Sequence, residues 1–404
     1  MKFLIITQDL RVSGTSAGIG RRSFLGKLKK VYPHSEIDVL YISHFDSSND
    51  DLEILPVDTI IRKVINPTIP FHVKWINRFT SRMFNFLYAD HYIHQLYAKH
   101  IRQIDYKKYD HIFIWSSGIK HETILATDRL PILKNAIVVF HDPYPHAWYT
   151  GKSSKIHKNE FLRLQKMIAV VQQAKTCCAT AYYMANDLKY LYASVKKFYT
   201  LPHHFEAKAF DFSKKNIIQR KERKLQISYH GALMLGRNLS NVLEAYSNLI
   251  QENPEFRKNT EFILRIRGEK INELKQKFDN DNNIKFLDTL DFSSSSNEQM
   301  HESDINIILE NGPYYCNILP GKVPFLASIG KPVLVISPGR SELRRILKND
   351  SRYIADMNLV EDIQFKLKNL ILINLQNSEP VYPFGNYFSD ANFLKQVDAI
   401  LREN

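Results

Sequence analysis

Two segments in the second half of the chain set glycines and a cation at the start of a predicted helix, an arrangement that can hold a diphosphate. His230-Gly231-Ala232-Leu233-Met234-Leu235-Gly236-Arg237-Asn238 follows the apolar run Leu225–Tyr229 and leads into a helix from Leu239. The backbone N–H groups of such a turn are directional donors, and an arginine adds a forked cation. Leu319-Pro320-Gly321-Lys322 opens a second predicted helix that Gly330 closes. Its positive end and Lys322 make another anion site. Lys331-Pro332 then runs into an apolar strand, and Ser337-Pro338-Gly339-Arg340-Ser341-Glu342 is a polar loop opening a further helix.

In the first half, the wholly apolar run Ala136–Phe140 delivers His141-Asp142-Pro143-Tyr144-Pro145-His146. Ligands of open α/β sheets bind outside the carboxyl ends of strands, and the prolines fix the turn that follows. The competing reading is a histidine satisfied locally at the start of a loop. A small-residue stretch, Ser13–Arg22, contains Gly14, Gly18 and Gly20 and follows the first strand. It lets backbone approach a ligand closely, but its spacing is not that of the dinucleotide fingerprint, so an ordinary strand-to-helix turn competes.

The elements that would position these residues alternate as βαβ units of a parallel sheet. Strands are expected at Lys2–Thr7, Glu36–Ile42, His111–Trp115, Ala136–His141 and Lys175–Ala181, with helices at Gly20–Val31, Tyr88–Ile104 and Lys158–Gln173. The polar stretch 205–224 lacks periodicity and reads as an interdomain connection. A second series follows: strand Leu225–His230, helix Leu239–Gln251, strand Glu261–Ile266, helix Lys270–Phe278 and strand Ile284–Phe286. It continues with a helix near Glu298–Glu302, strand Ile305–Leu309, a helix after Gly321, strand Pro332–Ile336 and a helix from Ser341. The expected domains are 1–204, the linker 205–224, 225–380, and a C-terminal helix in 381–404 returning to the first domain.

Composition sets the outer bounds. A chain of 404 residues exceeds the usual limit of one hydrophobic core. An apolar fraction of 44% excludes wholesale disorder. The three cysteines, Cys177, Cys178 and Cys316, lack zinc-ligand spacing and fit a reducing cytoplasm. The opening apolar run is too short for a signal peptide, and no stretch approaches the ~20 apolar residues that span a bilayer. A net charge of +13 asks for an anionic partner. No nucleic-acid recognition module is present, so nucleic acid is not expected.

Together these motifs resemble, in order along both halves, the GT-B glycosyltransferases, in particular the retaining family four and its relatives of bacteria. The segment Leu319–Ile336 resembles that family's Pro-Ser-Lys…Gly-Lys-Pro-Val-Leu stretch, and Gly231–Asn238 resembles its Val-Gly-Arg-Leu…Lys-Asn stretch. His141-Asp142 is similar to its "HD" strand end, and the glycines near Gly18 to its acceptor-side Gly-Gly-Ile-Gly-Arg loop. The resemblance implies two Rossmann-like domains facing across a cleft. It also implies sugar transfer from a nucleotide-diphosphate donor to a hydroxyl acceptor, such as a cell-surface polysaccharide or lipid-linked glycan precursor, without a metal or other cofactor. On that basis Arg237 and Lys322 carry leaving-group charge and His141 faces the transferred sugar. Gly231, Gly236, Asn238, Gly321, Glu310, Ser341 and Glu342 bind donor, while Gly18, Gly20 and Asp142 line the acceptor side. The family's paired glutamates fall on Asn317 and Phe325, which motivates a catalytically silent partner subunit as the alternative; a sugar-nucleotide epimerase ranks third.

No metal site is expected. Asp279-Asn280-Asp281 reads as a turn, and His203-His204 as structural or cleft-lining. The segment 70–88 interleaves bulky apolar residues with Lys74, Arg78 and Arg82 on one side of a helix. With Arg21, Arg22, Lys27, Lys29 and Lys30 it could dock the first domain on the anionic inner face of a cell membrane. A core-packing helix with a solvated basic edge is the opposing reading.

Overall fold

The computed structural model describes the chain apart from residues 13–15, 45–49, 146–149, 151–156, 214–223, 269–270, 279, 377–378 and 403–404. It divides into two compact units: Met1–Tyr149 with Ser153–Phe210 and Asp390–Asn404, and Thr150–Lys152 with Asp211–Ser389.

The first unit runs β1 (Lys2–Thr7), α1 (Ser16–Val31), β2 (Glu36–Ser43), β3 (Thr59–Val64), α2 (Phe71–Met83), α3 (Tyr88–Ile101) and β4 (His111–Trp115). It continues with α4 (Glu122–Leu125), β5 (Ala136–Phe140), α5 (Lys158–Gln173), β6 (Thr176–Ala179), α6 (Tyr182–Leu191) and β7 (Phe198–Thr200). Its sheet is ordered β3-β2-β1-β4-β5-β6-β7 and is parallel throughout. Residues of β1 and β5 alternate sides yet are buried along almost their whole length, because helices cover both faces.

The second unit runs β8 (Leu225–Leu233), α7 (Ser240–Glu252), α8 (Pro254–Asn259), β9 (Thr260–Gly268), α9 (Ile271–Phe278), β10 (Ile284–Leu287), α10 (Phe292–His301) and β11 (Ile305–Leu309). Then come β12 (Tyr315–Cys316), α11 (Val323–Ser328), β13 (Val333–Ser337), β14 (Arg340–Ser341), α12 (Glu342–Ile346), β15 (Ile354–Asp356) and α13 (Val360–Gln376). Its parallel sheet is ordered β10-β9-β8-β11-β13-β15 over a core that includes Ile227, Phe262, Ile307 and Leu334. The last helix, α14 (Asp390–Leu401), packs on α1 of the first unit. There Lys27 and Lys30 meet Asp390, the Tyr32 hydroxyl donates to Asp398 at 2.5 Å, and Phe24 lies 5.9 Å from Phe393.

Three expectations need correction. The glycine-rich stretch is not a loop, since α1 starts at Ser16 and contains Gly18 and Gly20. These glycines serve close packing: a Cβ on Gly18 would lie 2.2 Å from the Arg11 carbonyl oxygen, and one on Gly20 would lie 3.2 Å from His203 Nδ1.

The basic cluster does not face lipid as a whole. Arg21 and Arg22 are 1% and 0% exposed. The Arg22 guanidinium donates to the carbonyls of Leu10, Asp50, Asp51 and Ala209, tying the strand ends to α1. Arg21 lies 3.3 Å over the Trp115 ring.

Finally, α10 begins at Phe292 rather than near Glu298, because Asp291 caps it by accepting the Ser294 N–H at 3.0 Å. The serine tract 293–296 is therefore helical.

Candidate functional site

In each sheet the chain reverses direction of travel once: between β1 and β4 in the first unit, and between β8 and β11 in the second. Diverging connections leave a crevice outside the carboxyl ends of those two strands. Both crevices contain the groups capable of chemistry.

In the second unit, the Lys322 ammonium donates to the carbonyls of His230 at 3.0 Å and Ile307 at 3.4 Å, one on β8 and one on β11. It also sits 3.9 Å over the Tyr229 ring. Arg237 reaches the same place, donating to the Ala232 carbonyl at 3.3 Å and to Asn311 Oδ1 at 3.0 Å. Among the described residues neither cation has a carboxylate partner. Burial and the neighbouring Arg237 charge hold the Lys322 pKa well below its ordinary value. Two cations gathered on carbonyl and amide oxygens can bind an anion.

Gly231, Gly236 and Asn238, expected to bind donor, have three different roles. A Cβ at Gly231 would lie 3.7 Å from Lys322 Nζ, so this glycine borders the cation. Gly236 has φ +77° and would place a Cβ 2.6 Å from the Gly312 carbonyl, so only glycine lets the β8–α7 loop lie against the loop after β11. Asn238 is used locally, accepting the Ser240 N–H at 2.8 Å where α7 begins.

Gly321 lies in the turn before α11, which has only six residues. The Val323 N–H is bonded to the Pro320 carbonyl and Pro324 has no N–H, so the Lys322 side chain, rather than the helix start, is the donor here.

Glu342 is turned into the protein interior. It is 0% exposed and pairs with Arg345 at 2.5 Å. Ser341 caps α12 through the Arg344 N–H and meets the Ser337 hydroxyl at 2.8 Å.

Glu310 follows β11 and is also fully buried, accepting the Leu343 N–H at 3.2 Å. Burial lifts its carboxyl from 4.5 to about 7, against the opposing pull of the Ser341 and Ser337 hydroxyls and the Leu343 N–H. The folded chain holds this proton where the unfolded chain has released it. Its contribution to stability is therefore full below pH 4.5 and is lost as pH rises through about 7. Glu310→Gln is accordingly expected to raise the melting temperature at pH 8 and to change it little at pH 5. Equal shifts in thermal melts at both pH values would contradict this assignment.

In the first unit a pocket of about 180 Å³ opens at the β1/β4 reversal, lined by Gln8, Asp9, Arg11, Ser16, His44 and Lys120 among others. Asp9 organises it: its carboxylate accepts Arg11 Nε at 3.0 Å, Arg11 Nη2 at 2.8 Å and the Ser117 hydroxyl at 3.2 Å. Burial, then the Lys120 and Arg11 charges, push the His44 pKa down to about 4, so its imidazole is neutral near pH 7.

His141 follows β5, is 2% exposed, and places Nε2 at 3.4 Å from the Ser16 hydroxyl at the start of α1. Its own N–H donates to Ser116 Oγ, and its ring is 4.5 Å from that of His203. Burial, with His203 and Arg21 nearby, keeps its pKa well below 6.5. A neutral imidazole here is a hydrogen-bonding group rather than a charge. The Asp142 carbonyl faces His121 Nε2 at 3.0 Å, and its carboxylate lies 3.5 Å from the Cβ position of Gly118.

The structure thus gathers Gly231, Arg237 and Lys322 in one place, and Ser16 with His141 in another. Sequence reading missed Asp9, Arg11, His44 and Lys120 in the first unit, and Tyr229 and Asn311 in the second. Gln8-Asp9 directly after a strand was a visible signal. The partner loop after β4 becomes relevant only once strand order is known.

Among the described residues no three His, Cys, Asp or Glu side chains are grouped to hold a metal ion, and no helix is long and apolar enough to cross a membrane. Asp281 serves a turn, accepting the Asn283 N–H and the Ser247 hydroxyl, while Asp279 lies outside the described residues.

No family model and no curated protein matches the chain. Solved structures do match along its full length. A glycosyltransferase from Rickettsia africae is 15% identical, covers 100% of this chain and 98% of its own, and has a TM-score of 0.62. Trehalose-6-phosphate synthase, OtsA, is 10% identical over 98% of this chain and 97% of its own, with a TM-score of 0.62. UDP-GlcNAc 2-epimerase from Neisseria meningitidis, bound to UDP-GlcNAc, is 13% identical over 99% and 100%, with a TM-score of 0.57. Likeness at this level of identity speaks to architecture, and with the two parallel sheets it shows that the chain has the GT-B fold, two Rossmann-like domains in one polypeptide.

Proposed function

We propose that this protein transfers a sugar from a nucleotide-diphosphate donor to a hydroxyl acceptor. The observation that carries this reading is the pair Lys322 and Arg237, two cations without a carboxylate partner among the described residues, at the β8/β11 crevice. The departing diphosphate would accept from both, and its charge would stabilise the Lys322 ammonium, which burial otherwise disfavours. Asn311 holds Arg237 in place for this. The pocket beside Asp9, Arg11 and Lys120 would take the acceptor, a polyhydroxyl group of a polysaccharide or lipid-linked glycan precursor. His141 and Ser16 would hydrogen-bond the sugar or the acceptor as neutral groups. The cations do the work a divalent metal does elsewhere, so the reaction is proposed to be metal-independent, with retention of configuration and a cytoplasmic setting. Proteins of similar fold that carry UDP-sugars support a uridine-type donor.

A second reading is a catalytically silent partner subunit. Asn317 and Phe325, where the resemblance expects carboxylates, are each 4% exposed, and Phe325 cannot accept a hydrogen bond from a ribose or sugar hydroxyl. A panel of nucleotide sugars separates the readings. The transferase is expected to release nucleoside diphosphate, faster with acceptor glycans present, and to keep its rate in EDTA. Epimerised sugar nucleotide as the product would assign the chain to the epimerases of this fold. Nucleotide binding undetectable by calorimetry would leave the silent subunit.

A further inference from the structure

Helix α2 presents to solvent what a globular protein ordinarily buries. Phe71, Trp75, Phe79 and Met83 recur at every fourth position and are 83%, 65%, 54% and 65% exposed. Just beyond the helix, Phe84 and Phe86 are 67% and 42% exposed. Each of Trp75, Phe79 and Met83 is preceded by an exposed cation, Lys74, Arg78 or Arg82, so a basic row winds beside the aromatic one. The helix is held from behind by few contacts: Val73 is its one buried residue, and Asn77 Oδ1 accepts the Ala89 N–H at 3.0 Å. The opposing expectation of a core-packing helix is thereby overturned.

A surface of this kind asks for an occupant that is apolar inside and anionic outside. The sequence from Thr59 to Ala89 has no aspartate or glutamate, but it contains Arg62, Lys63, Lys74, Arg78 and Arg82. At the start of α5, Lys158 donates to the Ser81 carbonyl at 3.2 Å, and Phe161, one turn on, is 52% exposed. Aromatic rings favour the headgroup boundary of a bilayer, and lysines and arginines beside them meet anionic headgroups. An acidic protein surface would satisfy the cations but leave Phe71 and Trp75 against polar groups.

We propose that α2 and the segment after it lie on the surface of an anionic bilayer, anchoring the first unit there through Phe71, Trp75, Phe79 and Met83 with Lys74, Arg78 and Arg82 on the headgroups. This does not depend on the transferase reading. It uses a different face of the chain from Arg21 and Arg22, which are buried.

The test is co-sedimentation of the whole chain with phosphatidylcholine vesicles, alone or with about one third phosphatidylglycerol. Binding is expected only to the anionic vesicles and to weaken in high salt. Each cation contributes roughly fivefold at such a surface, so the variant K74Q/R78Q/R82Q is expected to bind about a hundredfold more weakly. The variant W75S/F79S is expected to lose most binding at any salt. Fluorescence quenching by brominated acyl chains is expected in the native chain and to drop in Trp75→Phe, which still binds. Circular dichroism melts matching the native chain show that the variants fold.

Equal vesicle binding by native and substituted chains, or no binding to anionic vesicles, overturns the proposal. So does light scattering that shows a dimer in solution abolished by W75S/F79S, which would assign the face to a second copy.

Discussion

Replacing Lys322 with methionine is expected to lower affinity for a nucleotide-diphosphate donor by about a hundredfold while leaving the folded chain as stable as before, or more so. The two effects have one cause. Lys322 is a cation supported by two carbonyls and the Tyr229 ring, with Arg237 adding repulsion rather than relief. A charge partly withdrawn from water without a counter-charge costs folding free energy, and methionine of similar length removes that cost. A lysine paired with a buried carboxylate would behave the other way, since its removal would strand that charge, whereas here only the neutral His230 and Ile307 carbonyls lose a donor. No carboxylate among the described residues would be stranded here.

A charge-assisted hydrogen bond to a phosphate is worth ~1.5–3 kcal/mol, which sets the hundredfold scale. Arg237→Ala is expected to cost a comparable factor. The double variant should lose less than the product of the single effects, because the two cations share one diphosphate. Calorimetry with nucleoside diphosphate and thermal melts of the same samples provide both readings. Unchanged affinity in Lys322→Met would remove the donor site from the β8/β11 crevice and with it the main support for sugar transfer. A lower melting temperature with lost affinity would mark Lys322 as part of the framework.

Much of the architecture was legible because burial on both faces leaves a plain mark in sequence. The runs Phe3–Ile6, Ala136–Phe140 and Val333–Ile336 are apolar without alternation, and their strands fall where those runs lie. Amphipathic helices such as Lys158–Gln173 carry their period openly. Short or polar elements were harder to see. In β3, Thr59–Val64, no residue is fully buried, so it lacks the apolar signature, and α10 begins in a serine tract whose only start signal is Asp291.

Arg237 and Lys322 were visible as glycine turns with a following arginine or lysine. The first-unit pocket was not, because Asp9 and Ser117 are 108 positions apart and meet only when β1 and β4 become neighbours. Glycines misled in a particular way: Gly18 and Gly20 looked like a turn, yet they thin a helix so that other backbone can lie against it. Sequence shows that a glycine is small, but not which neighbour needs the space. The basic residues of α1 misled similarly, since a guanidinium that donates to four carbonyls looks in sequence like one that meets lipid.

That packing role makes Gly18 the position in the first unit where one methyl group should matter most. A Cβ there would sit 2.2 Å from the carbonyl oxygen of Arg11, 2.8 Å from its nitrogen and 3.0 Å from Asp9 Oδ1. Two of these atoms are backbone and cannot swing aside, so the segment bearing Asp9 and Arg11 must move. That segment forms one wall of the pocket, and Asp9 ties it to Ser117 on the opposite wall.

Alanine adds ~1 kcal/mol of helix propensity over glycine, whereas forced overpacking costs ~1–3 kcal/mol, so Gly18→Ala is expected to be net destabilising. Gly26→Ala and Gly20→Ala meet only side-chain atoms in their closest contacts, from Glu206 and His203, and should cost progressively less. For function the expectation is specific. Gly18→Ala raises KM for acceptor at least tenfold, while donor affinity, which rests on the second unit, stays at the native value. Urea denaturation ranks the three variants, and acceptor kinetics beside donor calorimetry separate the two substrates. A Gly18→Ala chain with native stability and native acceptor KM would mean that the pocket beside Asp9 does not receive the acceptor. Parallel loss of donor affinity would mean that the substitution disturbs more than one wall of one pocket.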